Sequence, residues 1–484
     1  MFYGREELLT DLDALWGKRV SSLVTCRGRR RIGKSTLIEQ FAKRSEARFI
    51  KIEGLRPQKE LSNEDELRAF ARQLADQSSA ERSLPDCWLT AFGRLAREIS
   101  DDARTVVLLD EVSWMGYYDP TFAGTLKMAW DNHLKKHPRL ILVVCGSVST
   151  WIRENIIDDG QFLGRRSLDV VVPELPLREC VRFWDPVRER LDMREIIDMM
   201  SVTGGVPRYL EEVNPALSVN ENMRRLCFRP RSPLRMDFDE MFNDVITRQP
   251  KSTARVLDCL VDGSRTVTEI AALLDNTKGG HISEALAQLE EAGFVSSDVG
   301  PNPLTGAERR EKRYRLKDNY SRFYLKYVKP AATLIDKDAF AFSGFDQFKG
   351  WEAVLGLQFE NLVVNHFQEL LPFLHLENAL VYSAAPYRQE GKKGSGLQID
   401  LLIQTKRSAY IVEVKRRSEI GLEVVDEVAQ KARRLKVAAG NSIRTALVYA
   451  GHLARTVEAD GYFDAIVPFS RILGIVPAGE KDDG

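Results

Sequence analysis

The chain has 484 residues, too many for one typical hydrophobic core and enough for about three domains. Hydrophobic residues make up 44% and charged residues 29%, and 70 basic side chains balance 70 acidic ones, so any hold on nucleic acid has to come from local patches. Six scattered cysteines with no Cys-x-x-Cys spacing argue against a disulfide framework or a cysteine zinc site and fit a cytoplasmic chain; the start MFYGREELLTDL has no apolar signal region, and no apolar run approaches the roughly 20 residues of a membrane span.

In chain order, the first informative stretch is SSLVTCRGRRRIGKSTLIEQFAK. An apolar strand, Leu23 to Cys26, leads into Gly28-x-x-x-x-Gly33-Lys34-Ser35, and an amphipathic helix follows from Thr36. This is the Walker A pattern: the loop Gly28, Arg29, Arg30, Arg31, Ile32 and Gly33 turns its amides toward phosphate oxygens, and Thr36 opens the helix whose N-terminus favours an anion. Lys34 reaches the β- and γ-phosphates and Ser35 ligates Mg²⁺. Next, RTVVLLDEVSWM predicts a buried parallel strand with Asp110 and Glu111 at its C-terminal end, Asp110 for Mg²⁺ and Glu111 for the attacking water. The strand in RLILVVCGSVSTWI ends at Ser147, placed to sense the γ-phosphate or to cap the strand. No guanine-reading Asn/Thr-Lys-x-Asp follows, so ATP is preferred. Arg165 and Arg166 in GQFLGRRSLDV are arginine-finger candidates, in cis or from a second copy in a homo-oligomer; a solvated pair is the plain alternative. In VTGGVPRYLEE, Pro207 opens a helix near the base and Arg208 is a candidate phosphate contact.

These ordered motifs, from Phe2-Tyr3-Gly4-Arg5 through GRRRIGKST, LLDE, GS and GRR to GGVPRYL, resemble the archaeal-type P-loop ATPases, on the border of AAA+ and STAND proteins. The resemblance covers roughly residues 1–250 and implies ATP and Mg²⁺ as cofactors, with the Phe2 to Arg5 segment close to the adenine. The expected architecture is α/β: a P-loop NTPase core with a parallel sheet over residues 1–175 and a helical lid over 176–248.

From Lys251 the pattern becomes three short helices and a hairpin, the order of a winged helix-turn-helix, over residues 249–330. A Thr268 to Glu269 start signal opens its second helix, and His281 to Ala292 is the expected recognition helix. That helix is rich in glutamate, whereas the wing carries Arg309, Arg310, Lys312, Arg313 and Arg315; contact with DNA and docking on protein both remain open. Pro330 to Gly350 is the expected linker to a last domain, residues 331–484.

That domain opens with a long helix carrying Glu360. The stretch GLQIDLLIQTKRSAYIVEVKRR then reads as a hairpin with Gln404 facing Ala409, Ile403 facing Tyr410 and Leu401 facing Val412, so that Asp400 falls opposite Glu413. Opposed like charges are unfavourable, and a divalent cation would relieve them; an exposed face with an ordinary Lys–Glu pair is the alternative. Helix–strand–strand with Glu, then Asp-x12-Glu-x-Lys, resembles the PD-(D/E)XK nuclease core, a small restriction-endonuclease-like α/β fold. The resemblance implies Asp400 and Glu413 as metal ligands, Glu360 as an auxiliary ligand and Lys415 as the third catalytic group. Lys415-Arg416-Arg417 could also meet backbone phosphates. The expected whole is an ATPase coupled to a metal-dependent, DNA-processing domain, or alternatively a STAND-type ATP-dependent switch or a DNA-binding regulator acting through the winged helix, with a C-terminal domain that does not cut.

Overall fold

A computed structural model describes the chain at residues 2–146, 149–185, 187–245, 250–274, 279–309, 311–389 and 396–475. Ser147 and Arg310 lie outside the described residues. The chain divides into two compact units, Met1–Glu174 and Leu175–Gly484.

The first unit is built on five parallel strands: β1 (Ser22–Arg27), β2 (Arg48–Glu53), β3 (Thr105–Asp110), β4 (Leu140–Gly146) and β5 (Arg166–Val171). They lie in the order β2-β3-β4-β1-β5. Side chains alternate faces along a strand, and here both faces are apolar. Leu23, Val107, Leu109, Leu142 and Val144 pack on helices Asn63–Gln77, Trp88–Arg97 and Phe122–Asn132. Val24, Cys26, Val106, Leu108 and Val143 pack on helices Glu6–Ala14 and Lys34–Arg44. Burying the sheet on both sides leaves its C-terminal edge as the place where polar groups can gather.

The second unit begins with helices that share one apolar core with the rest of the unit. Three helices, Pro250–Asp258, Val267–Leu273 and Gly279–Glu291, precede an antiparallel hairpin of β6 (Val295–Asp298) and β7 (Arg313–Leu316). The second of these helices is capped by Thr266 rather than Thr268: the Thr266 hydroxyl accepts from the Glu269 amide, and the Glu269 carboxylate accepts from the Thr266 amide. The segment expected as a linker is packed instead. Lys329–Asp336 is helical, and Phe342 and Phe345 are buried against Phe228 and Trp351.

A second sheet completes this unit, with β8 (Val381–Gln389), β9 (Leu397–Thr405), β10 (Ser408–Ile420), β11 (Ser442–Leu453) and β12 (Ala465–Pro468) in sequential order. β8, β9 and β10 are antiparallel, and β10, β11 and β12 parallel. Leu401, Val412 and Val414 belong to the core beneath helix Trp351–Asn365, whereas Leu402, Ile411 and Leu447 face Val424 and Val428 of helix Glu423–Arg434.

One buried acid holds the first unit's β2 exit. Glu66 is 1% exposed, and its carboxylate accepts from the Leu55 amide at 3.0 Å. Burial pushes its pKa up to about 7 from the ordinary 4.5, against the pull of that amide. The folded chain therefore holds a proton that the unfolded chain loses, so stability falls as pH rises from the unfolded to the folded value, by up to about 3 kcal/mol. Glu66→Gln keeps the acceptor and removes the titration. Thermal melts across this pH range should show the wild-type midpoint falling and the variant's staying flatter, with the variant more stable above neutrality.

Candidate functional site

The glycine loop leaves β1 at its C-terminal end and delivers the chain into helix Lys34–Arg44. Gly28 has φ of 151°, and a Cβ there would meet the Val172 carbonyl oxygen at 2.6 Å, so the loop is seated where only glycine fits. Arg31 and Gly33 are left-handed at φ of 68° and 84°. The Lys34 ammonium donates to the carbonyls of Gly28 (3.0 Å) and Arg29 (3.1 Å), folded over the loop it serves. The loop arginines gain particular partners. Arg29 is 3.8 Å from the Glu174 carboxylate, and Arg30 lies over the Trp114 ring at 5.2 Å. Arg5 donates to the Ile32 carbonyl at 3.2 Å, so the N-terminal segment holds the loop's backbone.

Asp110 closes this site from β3. The Ser35 hydroxyl donates to its Oδ2 at 2.5 Å, and the Glu111 amide donates to Oδ1 at 3.1 Å. A hydroxyl and a carboxylate in contact at the mouth of a phosphate loop are the oxygen donors that Mg²⁺ takes. Lys51, which the motifs did not mark, brings its Nζ to 3.3 Å from the same Oδ2. Burial lowers the Lys51 pKa, but Asp110 and Glu53 outweigh it and the net shift is upward. Glu111 is left-handed at φ 49°. Its carbonyl oxygen sits so close to Gly54 that a Cβ on Gly54 would meet it at 2.8 Å. Gly54 is thus a positioning residue for Glu111, visible only once β2 and β3 are paired.

The arginines of GRR stand elsewhere. Arg166 pairs with Leu23 in the β1–β5 register, at the opposite end of β1 from Gly28, about 16 Å away along the strand. Arg165 forks onto Asp131 at 2.9 and 3.0 Å, and that hydrogen bond holds the Asp131 carboxyl well below its usual range. Arg166 donates to the Ile157 carbonyl. A role for either one on its own chain's phosphate loop is corrected by this register. In the second unit, Pro207 is the first residue of helix Pro207–Glu211, and Arg208 is 2.8 Å from Glu212 and 3.6 Å from Asp237.

The C-terminal hairpin pairs as its pattern predicts: Ala409 with Gln404, Tyr410 with Ile403, Ile411 with Leu402 and Val412 with Leu401. The regular ladder stops there. On the β8 side, two steps from Ala385 to Tyr387 oppose three from Leu402 to Ile399, a bulge on β9 at Asp400. Asp400 then accepts the Val414 amide at 2.9 Å. Glu413 has a fully buried side chain. Its oxygens are met by two ammonium groups, Lys415 at 2.7 Å and Lys431 at 2.5 Å, and Lys415 also reaches Glu427 at 2.9 Å. Burial, then Glu413, raises the Asp400 pKa to about 6; burial, then Asp400, raises that of Glu360 to about 8. Burial lowers the Lys415 pKa, but Glu413 overrides it and the net shift is upward. Among the described residues no group of three or more His, Cys, Asp or Glu is placed to hold a metal. A divalent ion here would have only Asp400 and Glu413 as carboxylates, a number Mg²⁺ accepts when water and phosphate supply the rest, and it would compete with the two lysines for Glu413. Arg416 is bound to Asp198 at 2.6 Å and Glu352 at 3.3 Å, which takes it out of the expected phosphate-binding run.

Lys431 reaches Glu413 from the helix after β10 as its second ammonium group. Lys431→Met should lower stability by about 2 kcal/mol, below the roughly 3–5 kcal/mol of a buried pair broken outright, because Lys415 remains. Urea unfolding of the two proteins measures it.

Comparison with known proteins agrees with this geometry. Residues 2–213 match a family described as an ATPase domain predominantly from Archaea. An uncharacterized protein of Methanocaldococcus jannaschii is 23% identical over 418 residues, covering 86% of this chain and 87% of the relative. A Walker-type ATPase of Pyrococcus abyssi superposes with a TM-score of 0.51 at 16% identity, covering 67% of this chain and 96% of that one. The Aeropyrum pernix ORC2 protein follows at a TM-score of 0.42 and 15% identity, over 69% of this chain and 93% of that one. Residues 2–213 are thus similar to the archaeal-type ATPase domain, and the first unit carries a five-stranded parallel sheet of the P-loop ATPase fold.

Proposed function

We propose that the chain hydrolyses ATP with Mg²⁺ in its first unit and couples that cycle to a nucleic-acid-processing second unit, in which a winged helix (249–330) joins a PD-(D/E)XK-like domain (331–484). The observation that carries the nucleotide part is the contact of Ser35 with Asp110 at 2.5 Å beside the Gly28–Gly33 loop. Lys34 moves from the loop carbonyls to the β- and γ-phosphates, and the loop amides hold their oxygens. Ser35 and Asp110 would hold Mg²⁺, whose chemistry there would be to offset phosphate charge. Glu111 takes the proton of the attacking water, with Gly54 leaving room for its backbone. Arg165 or Arg166 serves a neighbouring copy in a homo-oligomer, since neither lies at its own loop. Lys34→Ala should abolish ATP hydrolysis. Gly54→Ala should cut kcat about tenfold or more with nucleotide affinity little changed, and a loss of affinity instead would show that Gly54 shapes binding rather than Glu111.

In the second unit, Asp400 and Glu413 would hold a divalent ion, whose chemistry is to stabilise charge on a phosphoryl group. Lys415 stands by Glu413 to add positive charge near the leaving oxygen. Support comes from the Asp400 bulge and its neighbour Glu413, two acids from adjacent strands beside an amine. Plasmid or single-stranded DNA incubated with Mg²⁺ or Mn²⁺ should be cut by the wild type and spared by Asp400→Asn. One observation favours a second reading, a STAND-type switch whose C-terminal domain binds without cutting: two ammonium groups already neutralise Glu413. Absence of cutting in every nucleotide state selects it.

A further inference from the structure

Beside Asp400 the second unit holds a cleft of about 500 Å³, walled by the β6–β7 hairpin on one side and by β8 and helix Trp351–Asn365 on the other. Its lining holds six arginines and six acids, and the arginines divide by what they bind. Arg313 and Arg315 are spent on Glu269 and Asp298, at 2.8 and 2.9 Å. Four others make no ion pair among the described residues, and of these Arg265 donates to the Cys259 carbonyl at 2.7 Å. Arg322 is buried, and its guanidinium donates to the carbonyls of Val261 and Leu316 and to the Gln358 side chain. Arg309 lies over the Tyr387 ring at 4.9 Å and donates to the Arg388 carbonyl at 2.6 Å. Arg388 is exposed.

These groups stand next to the acids. Tyr387 pairs with Ile399, the residue before Asp400, and Arg388 with Gln398. Glu360 faces the same cleft from the helix. A buried guanidinium with no carboxylate in ion-pair contact among the described residues, though Glu360, Asp262 and Asp318 act on it from further off, is with two more at the cleft wall a receptor for phosphate oxygens, since guanidinium edges match phosphate geometry. A cavity of this size takes a drug-sized body rather than a duplex.

We propose that this cleft admits a single nucleic-acid strand, its phosphates on Arg309 and Arg388 and deeper on Arg322, and leads it to Asp400. The inference rests on the reading that Asp400 and Glu413 serve a phosphodiester, and it adds the form of the substrate.

The test uses the full chain in chelator, where nothing is cut, and reads the anisotropy of a labelled oligothymidylate against a blunt duplex of equal length. The single strand should bind about tenfold tighter or more. Arg309→Ala with Arg388→Ala should weaken it about tenfold and flatten the log–log salt dependence by about 1.4, the change expected when two phosphates are no longer neutralised. Arg388→Glu alone should weaken it in the same direction, and all variants should keep the wild-type melting temperature and ATP turnover. Duplex binding as tight as single-strand binding, or affinity unmoved by the arginine variants, overturns the cleft. Single-strand binding without cutting in any metal keeps the cleft and removes the nucleolytic reading. Cutting of duplex that the arginine variants leave unchanged removes the cleft and keeps that reading.

Discussion

Glu413 sets the terms for the second unit. Its side chain has no contact with water, and an unpaired buried carboxylate costs several kcal/mol. The adjacent strand offers it only Asp400, another acid, so the compensating charge has to come from outside that pair. Lys415 supplies half of it from the same face of β10, two residues on. Lys431 supplies the rest from helix Glu423–Arg434, where Val424, Val428 and Lys431 recur on one side at helical spacing. The two valines drive that helix onto the sheet by apolar burial, and the lysine rides in with them. Docking of the helix and neutralisation of the acid are thus one event.

The first unit answers a similar problem differently. Asp110 also ends a buried strand, but its neighbours are a hydroxyl, an amide and one ammonium, from Ser35, Glu111 and Lys51. Glu53 stands opposite it in the β2–β3 register, and Lys51 serves both acids, 3.3 Å from Asp110 and 3.7 Å from Glu53. A cation entering there has a single lysine to displace, whereas one entering at Glu413 competes with two. The chemistry of the two sites is alike in its parts and unequal in its readiness. A cation is therefore opposed by less neighbouring positive charge beside Asp110 than beside Glu413.

Much of this is legible in the sequence where the pattern is local. The strand–loop–helix around Gly28 to Ser35 needs only glycines at the turn and apolar runs beside them. The β9–β10 register follows from the turn and from period-two alternation, because a one-residue slip would turn every apolar side chain to the wrong face. What escapes depends on distant partners. Arg165 looks available until Asp131 comes beside it, and Arg416 until Asp198 does. Pro330 to Gly350 reads as a linker because proline and glycine punctuate it, yet its phenylalanines find an aromatic cluster assembled from helices on both sides. Lys51 and Gly54 become functional candidates only through the pairing of β2 with β3.

The bulge at Asp400 shows how a small irregularity organises the second site. In a regular ladder Asp400 would lie flat against Glu413, with their repulsion at its largest. The extra residue on β9 lets the carboxylate take the Val414 amide instead, so a backbone dipole rather than a side chain steadies one of its oxygens. It also sets Ile399 against Tyr387, and so brings the Arg309–Tyr387–Arg388 group within a residue of the acid. The ion pairs of Arg313 and Arg315 meanwhile fix the hairpin wall with charges already satisfied. A wall stiffened by paired arginines, with a few free of carboxylates next to an acid, favours a polyanion that can thread past that acid over a compact neutral ligand. The bulge therefore links the acid's orientation to the form of molecule that can reach it.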